Sequence, residues 1–211
     1  MVDLIIHPQT IALVNIDMQN IFVEGYPISA PNGLQLLNRI NRLTDVCRKH
    51  GVMVIHVAHK LRADDSNMGV LAEVVPAIRS ERLLSDGEKS SDLHEKLDIQ
   101  ETDIVLTKPR IDAFVGTDLE LILRINRIEN IMVSGVSTSV CCDTTARHGA
   151  LLDFNVIMLR DGTGTGGLAE FSADQVQQFT CDHFASNFGW VATVGEMISR
   201  IESAEIERSM D

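Results

Sequence analysis

The chain has 211 residues, 45% apolar and 23% charged, a size and composition suited to one compact domain, over 1–211, with a substantial core. Its 30 acidic against 18 basic residues give a formal net charge of -12, a field that repels phosphate backbones and anionic membranes, so neither nucleic acid nor membrane is expected as a partner. The opening MVDLIIHPQT lacks the basic and long apolar stretches of a secretory signal, and no apolar run reaches the length of a membrane span, so a cytoplasmic protein is expected.

Along the chain, short apolar runs alternate with longer amphipathic stretches. IALVNID (11–17) predicts a strand closing on Asp17, and GLQLLNRINRLTDVCRKHG (33–51) a helix ended by Gly51. VMVIHVA (52–58) predicts a second strand. His56 and His59 are three apart, so a continuing strand turns them to opposite faces, and they read as core or pocket histidines. Residues 60–102 make a long connection, with charge clusters (RADDSN, RSERLLSDGEKSSD) around VLAEVVPAI. A lid, a subunit contact or a surface helix is expected there.

DIVLTK (103–108) predicts a third strand, ending on Lys108 before Pro109, and TDLELILRINR (117–127) a helix. NIMVSGV (130–136) is a fourth strand, leading through Gly135–Val140 into a helix over 139–153. NVIMLRD (155–161) is a fifth strand, then come a glycine-rich run, a helix over 172–187, the strand GWVATVG (189–195) and a C-terminal helix. Gly162, Gly164 and Gly167 spell G-x-G-x-x-G, but after the fifth strand rather than the first. A flexible loop at the rim of a site is expected, not a dinucleotide turn, and no cofactor is expected.

Strands buried on both faces and alternating with helices predict an α/β fold, a three-layer α/β/α sandwich. Right-handed crossovers restrict the topology to a doubly wound type, and a mainly parallel six-stranded sheet in the order 3-2-1-4-5-6 is expected. Ligands bind such sheets at the C-terminal strand ends, near the switch point. Asp17, Lys108 and the turn before Cys141 all fall on that edge.

The cysteines (Cys47, Cys141, Cys142, Cys181) include no C-x-x-C pair, so thiols rather than a disulfide framework are expected. Cys141 opens a helix, where partial positive charge lowers a thiol pKa and free N–H groups can receive an oxyanion. The plainer alternative is a small buried hydrophobe, the reading preferred for Cys142. Asp17 suits acid–base work or a cap; Lys108 suits thiolate stabilisation or an ordinary surface position.

The stretches IDMQNIF (16–22), KPRIDAFVGTDL (108–119) and GVSTSVCCDTTAR (135–147) resemble, in order across nearly the whole chain, the isochorismatase-like cysteine hydrolases. The resemblance implies catalytic Asp17, Lys108 and Cys141, and a cis peptide at Val136–Ser137. It further implies an oxyanion hole from the Ser137 and Cys141 N–H groups, a pocket aromatic at Phe22, and a dimer or tetramer. Ile21 stands where an acidic residue is usual. The Asp-x-His element of the nicotinamidases is missing from VIHVAHKLRADDSN, so no metal is expected. His59, Arg62 and Arg110 are candidates for recognising a substrate carboxylate or carbonyl. True isochorismatases cleave a vinyl ether and lack the cysteine. Cys141 therefore implies hydrolysis of a small amide or ureide through a thioester, with release of ammonia. Ether hydrolysis and a non-enzymatic protein on the same fold stand as alternatives.

Overall fold

The computed structural model describes residue 4 and residues 6–208. In chain order the elements are β1 (Ile11–Ile16), α1 (Asn20–Val23), α2 (Gly33–Lys49), β2 (Met53–His59), α3 (Leu71–Val74), α4 (Ala77–Ser80), β3 (Ile104–Lys108), α5 (Leu119–Ile125), β4 (Asn130–Val136), α6 (Asp143–Leu151), β5 (Asn155–Gly164), α7 (Ala173–Asn187), β6 (Trp190–Ala192) and α8 (Val194–Arg208). The strands form one six-stranded sheet ordered β3-β2-β1-β4-β5-β6, every neighbouring pair parallel. This is the expected doubly wound α/β fold.

Every residue of β1 and β4 is buried, as befits central strands covered on both faces. Ala12, Val14, Ile16, Ile55 and Val133 pack with α5, α6 and α7, while Leu13, Val54 and Met132 pack with α2 and α8. Each fully buried aliphatic side chain contributes about 1.5–3 kcal/mol relative to exposure. Helix α2 follows from Leu36, Ile40, Leu43 and Cys47, a buried stripe at 3-4 spacing, with Arg48 and Lys49 facing its carbonyl end. Ser172 starts α7 with a capping box, its side chain accepting from Gln175 N–H.

Gly135 sets the distance between β1 and β4. It pairs with Ile16, has φ of 115°, and a Cβ there would fall 1.9 Å from the Ile16 carbonyl oxygen. Beyond this contact the winding reverses, leaving the crevice where ligands bind in doubly wound sheets.

One expectation changes. Gly162 and Gly164 are not in a flexible loop: they are buried in β5, which extends to pair Thr163 with Gly135 and Gly164 with Val136 past an irregularity in the ladder. Residues 60–102 carry only short helices. They form turns, the single-turn helices α3 and α4 and a 3-10 turn at Lys89–Ser91, closing a small apolar cluster of Ile21, Leu61, Met68, Ala72, Ile78 and Leu84. Among the described residues no helix is long and apolar enough to cross a membrane.

Candidate active site

The chain turns sharply where β1 ends. Asp17 has φ of 53°, a left-handed conformation rare outside glycine, and its N–H donates to the Val57 carbonyl at 2.8 Å. Gln19 fastens the same turn to β2 and to the segment covering it. Its amide accepts from His59 N–H at 2.8 Å and donates to the His59 and Ser91 carbonyls at 3.0 and 2.5 Å.

Lys108 ends β3, at the edge of the sheet, yet its side chain is fully buried. Its ammonium lies 2.9 Å from Asp17 Oδ2 and donates to the Arg110 and Ile111 carbonyls at 3.0 and 2.8 Å. These contacts hold the lysine in place as a cation beside Asp17 and Cys141.

Cys141 arrives from β4 through a cis Val136–Ser137 peptide and a π turn over Thr138–Cys142. The Ser137 carbonyl accepts from both Val140 and Cys142 N–H at 3.1 Å. Neighbouring elements hold the turn: Ser137 and Thr165 hydroxyls lie 2.7 Å apart, and Thr138 donates to Gln177 of α7 at 2.6 Å. His59 completes the cluster. Donor atoms of Asp17, His59 and Cys141 lie within 4.8 Å of one another, the one such group among the described residues that could hold a metal ion, and the Lys108 ammonium already supplies positive charge beside it. Among the described residues His59 Nε2 has no hydrogen-bond partner.

Burial dominates the electrostatics. It pushes the Asp17 carboxyl above its ordinary pKa against the pull of Lys108. Burial alone would lower the Lys108 pKa, but the charges of Asp17 and Cys141 outweigh it and the net direction is up. His59 is driven down to about 3, by burial first and by Lys108 second, and stays neutral. Contrary to the lowered pKa expected at a helix start, the Cys141 thiol is pushed well up, by burial and then by the Asp17 carboxylate, with Lys108 opposing. The resting sulfur is a thiol.

The remaining candidates lie further out. Phe22 is half-buried between the apolar cluster of Met18, Leu36 and Val136 and that of Leu61 and Ile78. Arg62 is exposed, on a groove of about 480 Å³ that it shares with Lys60 and Arg110. Cys142 is buried in the core, its thiol facing the Ser134 carbonyl at 3.8 Å. His56, on the opposite face of β2 from His59, bonds to Asn15 at 3.3 Å and Asp103 at 3.2 Å. Sequence reasoning did not pick out Gln19, although it sits inside the IDMQNIF stretch, nor Asp112 and His148, which carry no local signal.

A profile of the isochorismatase domain matches residues 11–196. The ureidoacrylate amidohydrolase RutB of Klebsiella pneumoniae is 31% identical over 209 residues, covering 89% of this chain and 85% of that protein. RutB of Agrobacterium fabrum is 28% identical, covering 93% and 92%. A crystal structure of a cysteine hydrolase from Pseudomonas syringae superposes with a TM-score of 0.91 at 31% identity, covering 96% of this chain and 97% of that one. An isochorismatase family protein from Desulfovibrio vulgaris superposes with a TM-score of 0.79 at 26% identity, covering 89% and 96%.

Proposed function

The chain belongs to the isochorismatase family, and on that footing we propose that it is a cysteine-dependent amidohydrolase cleaving a C–N bond of a small amide or ureide. The observation that carries this reading is the meeting of Asp17, Lys108 and Cys141, from the ends of β1, β3 and the turn after β4, in one buried cluster. The relatives named ureidoacrylate amidohydrolases make ureides the substrate class to test first.

In this reading Asp17 takes the proton of the Cys141 thiol as sulfur attacks the substrate carbonyl, and Lys108 holds the anionic charge. The raised carboxyl pKa fits a base that must pick up a thiol proton and give it back. The Ser137 and Cys141 N–H groups receive the oxyanion. Asp17 then protonates the departing nitrogen, leaving an acyl thioester and free ammonia or amine. Water, deprotonated by the same carboxylate, attacks the thioester and restores the thiol. His59, neutral and with Nε2 uncommitted, is the group available to hydrogen-bond substrate in the cluster.

The test is ammonia release from ureidoacrylate, biuret, N-carbamoylsarcosine, maleamate and nicotinamide by wild type and Cys141→Ala. Release by wild type alone, with an acyl adduct on Cys141 by intact mass, is the expected result. Equal release by Cys141→Ala overturns the thioester route and points to direct attack of water on the carbonyl, with the sulfur incidental.

A further inference from the structure

The Lys108 ammonium is held by acceptors outside its own strand. The Arg110 and Ile111 carbonyls that hold its ammonium immediately precede Asp112, which is only 9% exposed. Asp112 Oδ1 accepts from Phe114 N–H at 2.9 Å, and its Oδ2 accepts from His148 Nδ1–H at 2.5 Å. One residue on, Ala113 N–H donates to the Thr145 hydroxyl at 3.0 Å. His148 and Thr145 both belong to α6, the helix that continues directly from the turn bearing Cys141.

We infer that Asp112 and His148 are positioning residues, which hold the 110–113 loop, and through its carbonyls the Lys108 ammonium, in register with the helix that carries Cys141. The inference rests on Lys108 being the cation that serves the Cys141 sulfur. Lysine and cysteine reach the cluster on separate segments; the sheet ladders fix the Lys108 backbone, but not where its ammonium points. The Asp112–His148 bond, with the Thr145 contact beside it, joins those segments. If it is cut, the loop carbonyls shift and the ammonium moves with them. A charge displaced by about 1 Å in a buried site loses much of its effect on a reacting atom, on the order of a hundredfold in rate.

The His148 side chain is 36% exposed, so substitutions there leave the core intact. His148→Leu removes the donor, whereas His148→Asn places an N–H near the same point. The expected result for His148→Leu is a roughly ten- to hundredfold lower kcat on ureidoacrylate with little change in KM and Tm. Iodoacetamide labelling of Cys141 should also move to higher pH, because Lys108 no longer offsets the burial of the sulfur. His148→Asn should restore both, and Asp112→Asn should reproduce the loss. A wild-type labelling profile in His148→Leu overturns the inference, as does a His148→Asn variant no better than His148→Leu. Labelling needs no substrate: if wild type hydrolyses nothing on the panel, the proposed function fails while the labelling profile still decides this role.

Discussion

The Lys108 ammonium lies 2.9 Å from Asp17 Oδ2 although β2 runs between their two strands, and both side chains are fully buried. The edge strand thus delivers a charge into the middle of the sheet's rim, where the opposite charge and two loop carbonyls make it tolerable.

Removing one member of such a pair leaves the other buried alone. Lys108→Met is therefore expected to destabilise the fold by about 3–5 kcal/mol, and the double variant Asp17→Asn/Lys108→Met by much less. Urea unfolding at pH 7 measures both. A loss of about 1 kcal/mol or less, the size of a surface pair, would contradict the buried geometry.

His59 makes stability depend on acid. Its pKa falls from 6.5 in the unfolded chain to about 3 in the fold. Above the upper value neither state binds a proton there; between the two, only the unfolded state does. Stability is lost as pH drops through that window, by about 1.4 kcal/mol per pH unit from this group. The stability of His59→Gln relative to wild type should rise at that slope below pH 6.5. A pH-independent difference in urea unfolding would show that His59 is not held neutral.

The Cys141 thiol should label with iodoacetamide at a midpoint above that of a free cysteine, about 8.5. Asp17→Asn should lower that midpoint, because the carboxylate opposes ionisation, and Lys108→Met should raise it. Peptide mapping separates Cys141 from Cys47 and Cys181, which burial pushes to about 12 and about 11. A midpoint that rises in Asp17→Asn would break the assigned coupling.

Gly135→Ala should prevent folding or cost several kcal/mol, since its Cβ would collide with the Ile16 carbonyl at 1.9 Å. The control is Gly51→Ala, which also has positive φ (73°) but no atom within 4 Å, and should cost only about 1–2 kcal/mol. Similar melting temperatures for the two variants would count against the close approach of β1 and β4.

The sheet was readable because its strands announce themselves as apolar β-branched runs between amphipathic stretches, and parallel winding leaves few orders for them. Asp17, Lys108 and Cys141 were readable as strand-end residues, and the structure brings them together. What was not readable depends on partners distant in the chain. Asp112 and His148 are 36 residues apart. The Cys141 thiol is raised because the fold buries it and then brings Asp17 beside it, which outweighs the local helix-start effect. Gly162 and Gly164 look like loop residues, yet they are strand residues beside which there is little room. A Cβ at Gly162 would lie 2.6 Å from Leu159 Cβ, and one at Gly164 3.0 Å from Leu36 Cδ2.

The ladder between β2 and β3 runs unbroken from Ile55–Ile104 to His59–Lys108. It therefore fixes the Lys108 backbone against its neighbours whatever joins the two strands. Apart from the points where Gln19 and Asn20 grip Ser91 and Lys89, the intervening stretch is then free to vary in length without moving Lys108 along the sheet.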